Sequence, residues 1–182
     1  GDQVFYKYDG NVQPIPCPIE EYVFDNMNDS QRLKVAAAVN SKFNEIWWFY
    51  PSVDSEANDS YVVYNYVEKS WYYGTLGRTA WYDNAISNLP IAASTDGYIY
   101  FHENGVNDGS TNPPSPISSY IESSAIDMGD GDQFMFVSRV IPDLTFRNST
   151  STPSATFEVS ARDFPGANFD QTNSGAAVRS AT

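Results

Sequence analysis

The stretch NEIWWFYPS, residues 44–52, sets Trp47, Trp48, Phe49 and Tyr50 in a row between an Asn-Glu pair and a proline. Successive side chains of a strand point to opposite faces, so Trp47 and Phe49 share one side and Trp48 and Tyr50 the other. A strand at the surface of a two-layer domain needs one apolar face and alternates apolar with polar residues. This one does not alternate. Three arrangements meet that pattern: a strand held between two neighbouring sheets, an exposed aromatic face that binds a ligand, or a subunit interface.

The same two-sidedness spreads outward from it. LKVAAAVN (33–40), NEIWWFYP (44–51), DSYVVYNYV (59–67) and SWYYGTL (70–76) read as four short strands, spaced like consecutive antiparallel neighbours in a meander. Turns fall at Ser41-Lys42, at residues 51–58 and at Glu68-Lys69. Large side chains again occupy both faces over Tyr61 to Tyr66, so the feature belongs to the sheet. A second cycle begins at RTAWYDN (78–84) and runs through LPIAAST (89–95), the Asp96-Gly97 turn and YIYFHENG (98–105). The order of a small-residue strand, a short turn and an aromatic strand thereby recurs after roughly 55 residues. Radial stacking of four-stranded sheets, each covered on both faces by its neighbours, is the construction of a β-propeller.

Upstream, QVFYKY and NVQPIP form an expected hairpin over residues 3–16, joined at Asp9-Gly10-Asn11. From Pro18, the first-turn acids Glu20 and Glu21 and the spacing of Ile19, Tyr22 and Val23 predict a short helix at about 18–28. Downstream, GVNDGSTNPPSP (105–116) reads as a linker. SYIESSAIDMG (119–129), DQFMFVSRVIPDLTF (132–146) and SATFEVSARDFPG (154–166) are three further strand-like runs. The tail after Phe169 has too little apolar content to be ordered alone. The expected fold is all-β: antiparallel four-stranded meander sheets resembling β-propeller blades over residues 1–112, then a linker, a smaller β region and a flexible C-terminal tail over 113–182.

Composition agrees and removes several function classes. Aromatics reach 15% of the chain, with 13 Tyr, 11 Phe and 4 Trp, which favours β-structure. The formal charge of −13, from 23 acids and 10 bases, is the reverse of a phosphate-neutralising surface. Sequence-specific nucleic-acid binding is not expected, although acidic walls lining a channel would keep DNA from sticking. Cys17 is the single cysteine, so no intrachain disulfide forms. No stretch reads as a signal peptide or as a membrane span. The chain opens on Gly1-Asp2, without Met, and passes straight into a strand, as a piece excised or processed from a longer protein would.

Chemistry-bearing constellations are sparse. His102 is the only histidine, and with Cys17 alone beside it no transition-metal site can be built. No G-x-S-x-G elbow accompanies His102, so a Ser-His-Asp triad is not indicated and a packed or hydrogen-bonded histidine is expected. Asp127, Asp130 and Asp132 in DMGDGDQ place oxygens densely enough for calcium, but the spacing is not that of an EF-hand, and a polar turn reads better. Twenty-three acids offer many carboxylate pairs for glycoside hydrolysis and single out none. The aromatics Trp47, Trp48, Trp71, Tyr72, Tyr73, Trp81 and Tyr82 could stack on sugars as a carbohydrate-binding module does. Because they fall inside strands, packing between sheets is the stronger reading.

CPIEEYVFDNMN, NEIWWFYPS, DSYVVYNYVEKSWYYGTLGRTAWYD, DGYIYFHENGVNDG and IDMGDGDQFMFVSRVIPDLTF, in that order over residues 17–147, resemble a tailed-bacteriophage virion protein of the propeller-containing tail hub or packaged-DNA stabilisation type. The resemblance implies a non-enzymatic part of the tail or connector, present in the virion and made in the bacterial host cytoplasm. It also implies other tail subunits and further copies of itself as partners, passive lining of a DNA channel, and no cofactor, metal or membrane. Members of that family are longer than this chain, and two blade-like units are too few to close a propeller ring. No catalytic residue carries over. Trp47, Trp48, Tyr64, Trp71 and Trp81 are the residues expected to carry the architecture and its interfaces.

Overall fold

At the centre of the computed structural model lies a four-stranded antiparallel sheet of β1 (Ala36–Asn40), β2 (Glu45–Tyr50), β3 (Ser60–Asn65) and β4 (Ser70–Thr75), paired in sequence order. The structure describes all residues except 1–2, 85–87, 109–111, 127–128, 130, 132, 135, 146–153, 162–163, 165, 167–176 and 182. The chain divides into two units, Gly1–Asn104 and Gly105–Thr182.

Register fixes what each face of the central sheet carries. Trp48 lies opposite Val62 and Ala37, and Val62 opposite Tyr73. Trp47 lies opposite Val63 and Ala38, and Val63 opposite Tyr72. One face, called here the front, therefore presents Trp48, Tyr50, Val62, Tyr64, Trp71 and Tyr73. The back presents Trp47, Phe49, Tyr61, Val63 and Tyr72. Small alanines on β1 leave room for the large rings of β2 beside them, which is why KVAAAVN precedes the aromatic strand. Asn44 makes the turn between these strands in the left-handed conformation, at φ 61°, which asparagine tolerates.

The front is covered by the N-terminal segment. A short hairpin of β5 (Tyr6–Tyr8) and β6 (Val12–Pro14) leads to helix α1 (Glu20–Asp25) and a 3-10 turn over Asp29–Lys34. Phe5, Ile15, Cys17, Val23, Tyr50 and Val62 form one buried cluster, with Phe24, Trp48, Tyr64 and Trp71 packed against it. Cys17 lies buried and unpaired, and burial raises its thiol pKa.

The back faces a second antiparallel sheet, of three strands: β7 (Ala80–Tyr82), β8 (Ile91–Ala93) and β9 (Ile99–Phe101). β7 packs beside β1. Gly97 closes the β8–β9 hairpin at φ 87°, where a side chain would be strained. The expectation of a second four-stranded cycle is corrected: among the described residues no fourth strand joins this sheet. After Phe101 the chain takes positive φ at Glu103 and Gly105, and the polar HENG run offers no apolar alternation to continue the ladder.

In the second unit, β10 (Asn107–Asp108) pairs with β11 (Ser115–Pro116) where a linker was expected. β12 (Ala155–Val159) pairs antiparallel with β13 (Ala177–Ala181), so the C-terminal segment gains order through backbone pairing that its composition does not announce. Residues 119–126 and 136–145, read from sequence as parts of strands, join no ladder among the described residues. Over the whole chain the described structure is all-β apart from the short helix and 3-10 turns, and no sheet closes on itself among the described residues.

Candidate functional site

The expected interface residues fall into two clusters, one on each face of the central sheet. On the front, Trp48 and Trp71 stack at 5.9 Å and 20°, Tyr64 lies 4.6 Å from Trp71, and Phe5 stands 5.0 Å from Trp48 and 4.8 Å from Trp71. The Trp71 Nε1 donates to the Pro16 carbonyl at 2.9 Å, fixing the N-terminal segment to β4. On the back, Trp81 of β7 stacks on Trp47 at 6.0 Å and 16° and lies 6.1 Å from Phe49. Its Nε1 donates to the Val39 carbonyl at 2.8 Å. All five residues are half-buried with their rings against one another, and the indole N–H groups of Trp47, Trp71 and Trp81 are partnered.

Trp81 also packs 4.6 Å from His102, and around that histidine lies the most elaborate polar cluster of the first unit. The Arg78 Nε donates to His102 Nε2 at 2.9 Å and its Nη1 to the Gly77 carbonyl at 2.7 Å. The guanidinium sits 4.8 Å over the Tyr100 ring. Tyr100 donates its hydroxyl to Asp96 Oδ2 at 2.7 Å. Burial first, and the adjacent Arg78 charge second, push the His102 pKa down to about 4, so the ring is neutral at pH 7 and accepts from Arg78. Burial likewise lowers the Arg78 pKa, partly offset by Tyr100 and Asp96. Asn58, itself buried, ties this corner back to the central sheet by donating Nδ2 to the carbonyls of both Lys34 and Arg78 at 2.9 Å.

At the far end of the back face, Glu45 accepts from Tyr72 hydroxyl at 2.6 Å and from Trp47 Nε1 at 3.0 Å. Burial and that carboxylate raise the Tyr72 pKa. Asn40 donates to Glu103 at 3.1 Å, and the Ser41 amide to Asp83 at 3.0 Å, so two further bonds join the sheets.

Chemically these groups bind sheets together. Both His102 contacts are structural: Arg78 occupies Nε2, and the ring rests on Trp81. Among the described residues no group of three or more His, Cys, Asp or Glu could hold a metal. The calcium reading of Asp127, Asp130 and Asp132 lies outside the described residues. No helix among the described residues is long and apolar enough to cross a membrane. Two open concavities flank the N-terminal segment; the larger of the two, about 600 Å³, is lined by Pro18, Glu21, Tyr22, Asp25 and Tyr73.

Two elements escape the reading of the sequence. One is the Arg78–His102 bond, whose partners stand 24 residues apart with no shared motif. The other is the cover on the front face: Phe5, Phe24 and Tyr22 reach the sheet, Tyr22 lying 4.3 Å from Tyr73. The signal for that cover was present in the apolar spacing of the short helix. No family model, curated protein or solved structure matches this chain.

Proposed function

We propose that this chain is a non-enzymatic structural component of a tailed-bacteriophage virion, part of its tail or connector, made in the host cytoplasm and acting through subunit assembly and the sealing of a DNA channel. The observation that carries the reading is the asymmetry of cover. The central sheet is aromatic on both faces and each is packed against another element, leaving Tyr72 and Tyr73 of its edge strand partly exposed, whereas the second sheet is apolar on both faces and packed on one. Tyr82, Ile99 and Phe101 of the second sheet are 63%, 71% and 58% exposed. A chain built from such sheets has an apolar surface for another subunit.

On this reading the two sheets correspond to successive propeller blades, and further blades come from other chains or from further sequence. The partners are other tail subunits and copies of the same chain. The −13 charge gives the assembled channel wall a sign that repels DNA without reading its sequence.

The alternative, a carbohydrate-binding module, needs aromatic rings standing free in a groove. Trp47, Trp48, Trp71 and Trp81 instead lie against one another or against Phe5. Light scattering over a concentration series, with and without a panel of polysaccharides, separates the two readings. Oligomers forming without glycan are expected. A strict monomer that changes only on adding a glycan refutes the assembly reading.

A further inference from the structure

The register of the second sheet sorts its side chains cleanly. Trp81, Ala92 and Tyr100 lie opposite one another and point to the central sheet. Ala80, Tyr82, Ile91, Ala93, Ile99 and Phe101 make the outer face, with no polar residue among them. A solvated sheet face alternates to polar side chains; this one does not. The outermost strand, β9, pairs with β8 alone among the described residues, so one backbone edge is open beside that apolar face.

Apart from Arg78, which lies buried against the Tyr100 ring, the charges along this sheet's strands are of one sign. No Lys or Arg occurs between Arg78 and Arg139, while Asp83, Asp96 and Glu103 all flank its strands. Two such faces meeting each other would bring like charges together. The complementary surface is an extended apolar run that carries a cation.

The chain itself has one. Residues 134–141 include Phe134, Phe136 and Ile141 at 89%, 91% and 77% exposed, with Arg139 also facing solvent. The described residues of this run join no ladder, although Phe134, Phe136, Val137, Val140 and Ile141 give it the composition of a strand. Pro142 ends any ladder it could enter, which sets its pairing length. Arg139 is the first cation to follow the sixty-residue stretch that lacks one.

We infer that residues 134–141 of one copy add to the β9 edge of a second copy, completing its sheet as a fourth strand, with Arg139 answering the acidic flank. This contact rests on the assembly reading and gives it a partner and a direction. It joins two different surfaces, so it propagates head to tail and yields a ring or a filament.

Two variants test it, both at exposed positions outside the buried core. Ile99→Asp with Phe101→Asp spoils the face and keeps the segment. Phe136→Pro spoils the segment, by removing an amide and blocking the ladder, and keeps the face. Far-UV circular dichroism confirms that both remain folded, and sedimentation velocity over a concentration series follows their mass. Wild type is expected to associate, and each variant alone to need at least about tenfold more protein for half-association. An equimolar mixture is expected to give a discrete dimer, because it holds one intact face and one intact segment. Variants that associate like wild type, or a mixture that stays monomeric while wild type associates, overturn this contact and leave the assembly reading standing. A wild type that is monomeric throughout overturns both.

Discussion

Truncating Trp81 to alanine tests whether the second sheet is held to the central sheet by the contacts described. The indole stacks on Trp47, touches Phe49 and His102, and donates to the Val39 carbonyl at 2.8 Å. A fully buried Trp→Ala change costs about 3–5 kcal/mol. Trp81 is half-buried, which reduces its packing share to roughly 2 kcal/mol, and the lost hydrogen bond adds about 1 kcal/mol. Trp81→Ala is therefore expected to lose about 3 kcal/mol, and Trp81→Phe, which keeps an aromatic ring, about 1 kcal/mol. Urea unfolding followed by far-UV circular dichroism measures both, with an unchanged m-value showing that the unfolding transition is the same. A loss for Trp81→Ala below about 1 kcal/mol, or equal losses for the two variants, refutes the assignment of Trp81 as the bridge.

Three further outcomes are expected. His102 has a pKa of about 4 when folded against an ordinary value of 6.5, so the unfolded chain binds the extra proton first and stability falls as pH drops from about 6.5 towards 4. The full difference corresponds to roughly 3 kcal/mol, and partial exposure of the ring brings this to about 1–2 kcal/mol, read as the part of the pH slope that His102→Gln removes. Gly77→Ala should lose about 1–3 kcal/mol in the same urea assay, because its new Cβ would stand 2.7 Å from the Asn58 carbonyl oxygen, a backbone atom that cannot step aside. Phe5→Ala should lose about 3 kcal/mol and weaken the near-UV dichroism of Trp48 and Trp71, since Phe5 is 9% exposed and packs on both; an unchanged spectrum would show that the N-terminal segment does not cover the front face.

The central sheet was legible because its evidence is local. Four aromatic or β-branched runs separated by short turns specify a meander, and NEIWWFYPS states that both faces are apolar. Its register was not legible: the pairing of the β1 alanines with the β2 tryptophans appears only in the structure. What covers each face was not legible. Phe5 lies more than forty residues from Trp48, and nothing local to either announces the contact. The second sheet was readable strand by strand, but three-residue strands carry too little periodicity to reveal that no fourth joins them among the described residues. The runs at 119–129 and 132–146 show the limit from the other side. Both runs are rich in β-prone residues, yet a strand needs a partner, and sequence pattern alone does not say where the partner is. The candidate tryptophans were found because bulk and position in a strand are visible in sequence; the Arg78–His102 bond was not, because it depends on two turns meeting in space.

The open edge of β9 is proposed to receive a strand from another subunit. Amide hydrogen exchange, measured residue by residue at low and high protein concentration, tests it most directly. The amides of β1 to β4 are expected to exchange slowly at both concentrations, while those of β9 and of residues 134–141 gain protection together as the protein is concentrated. Protection of β9 that stays the same across the whole range would contradict it.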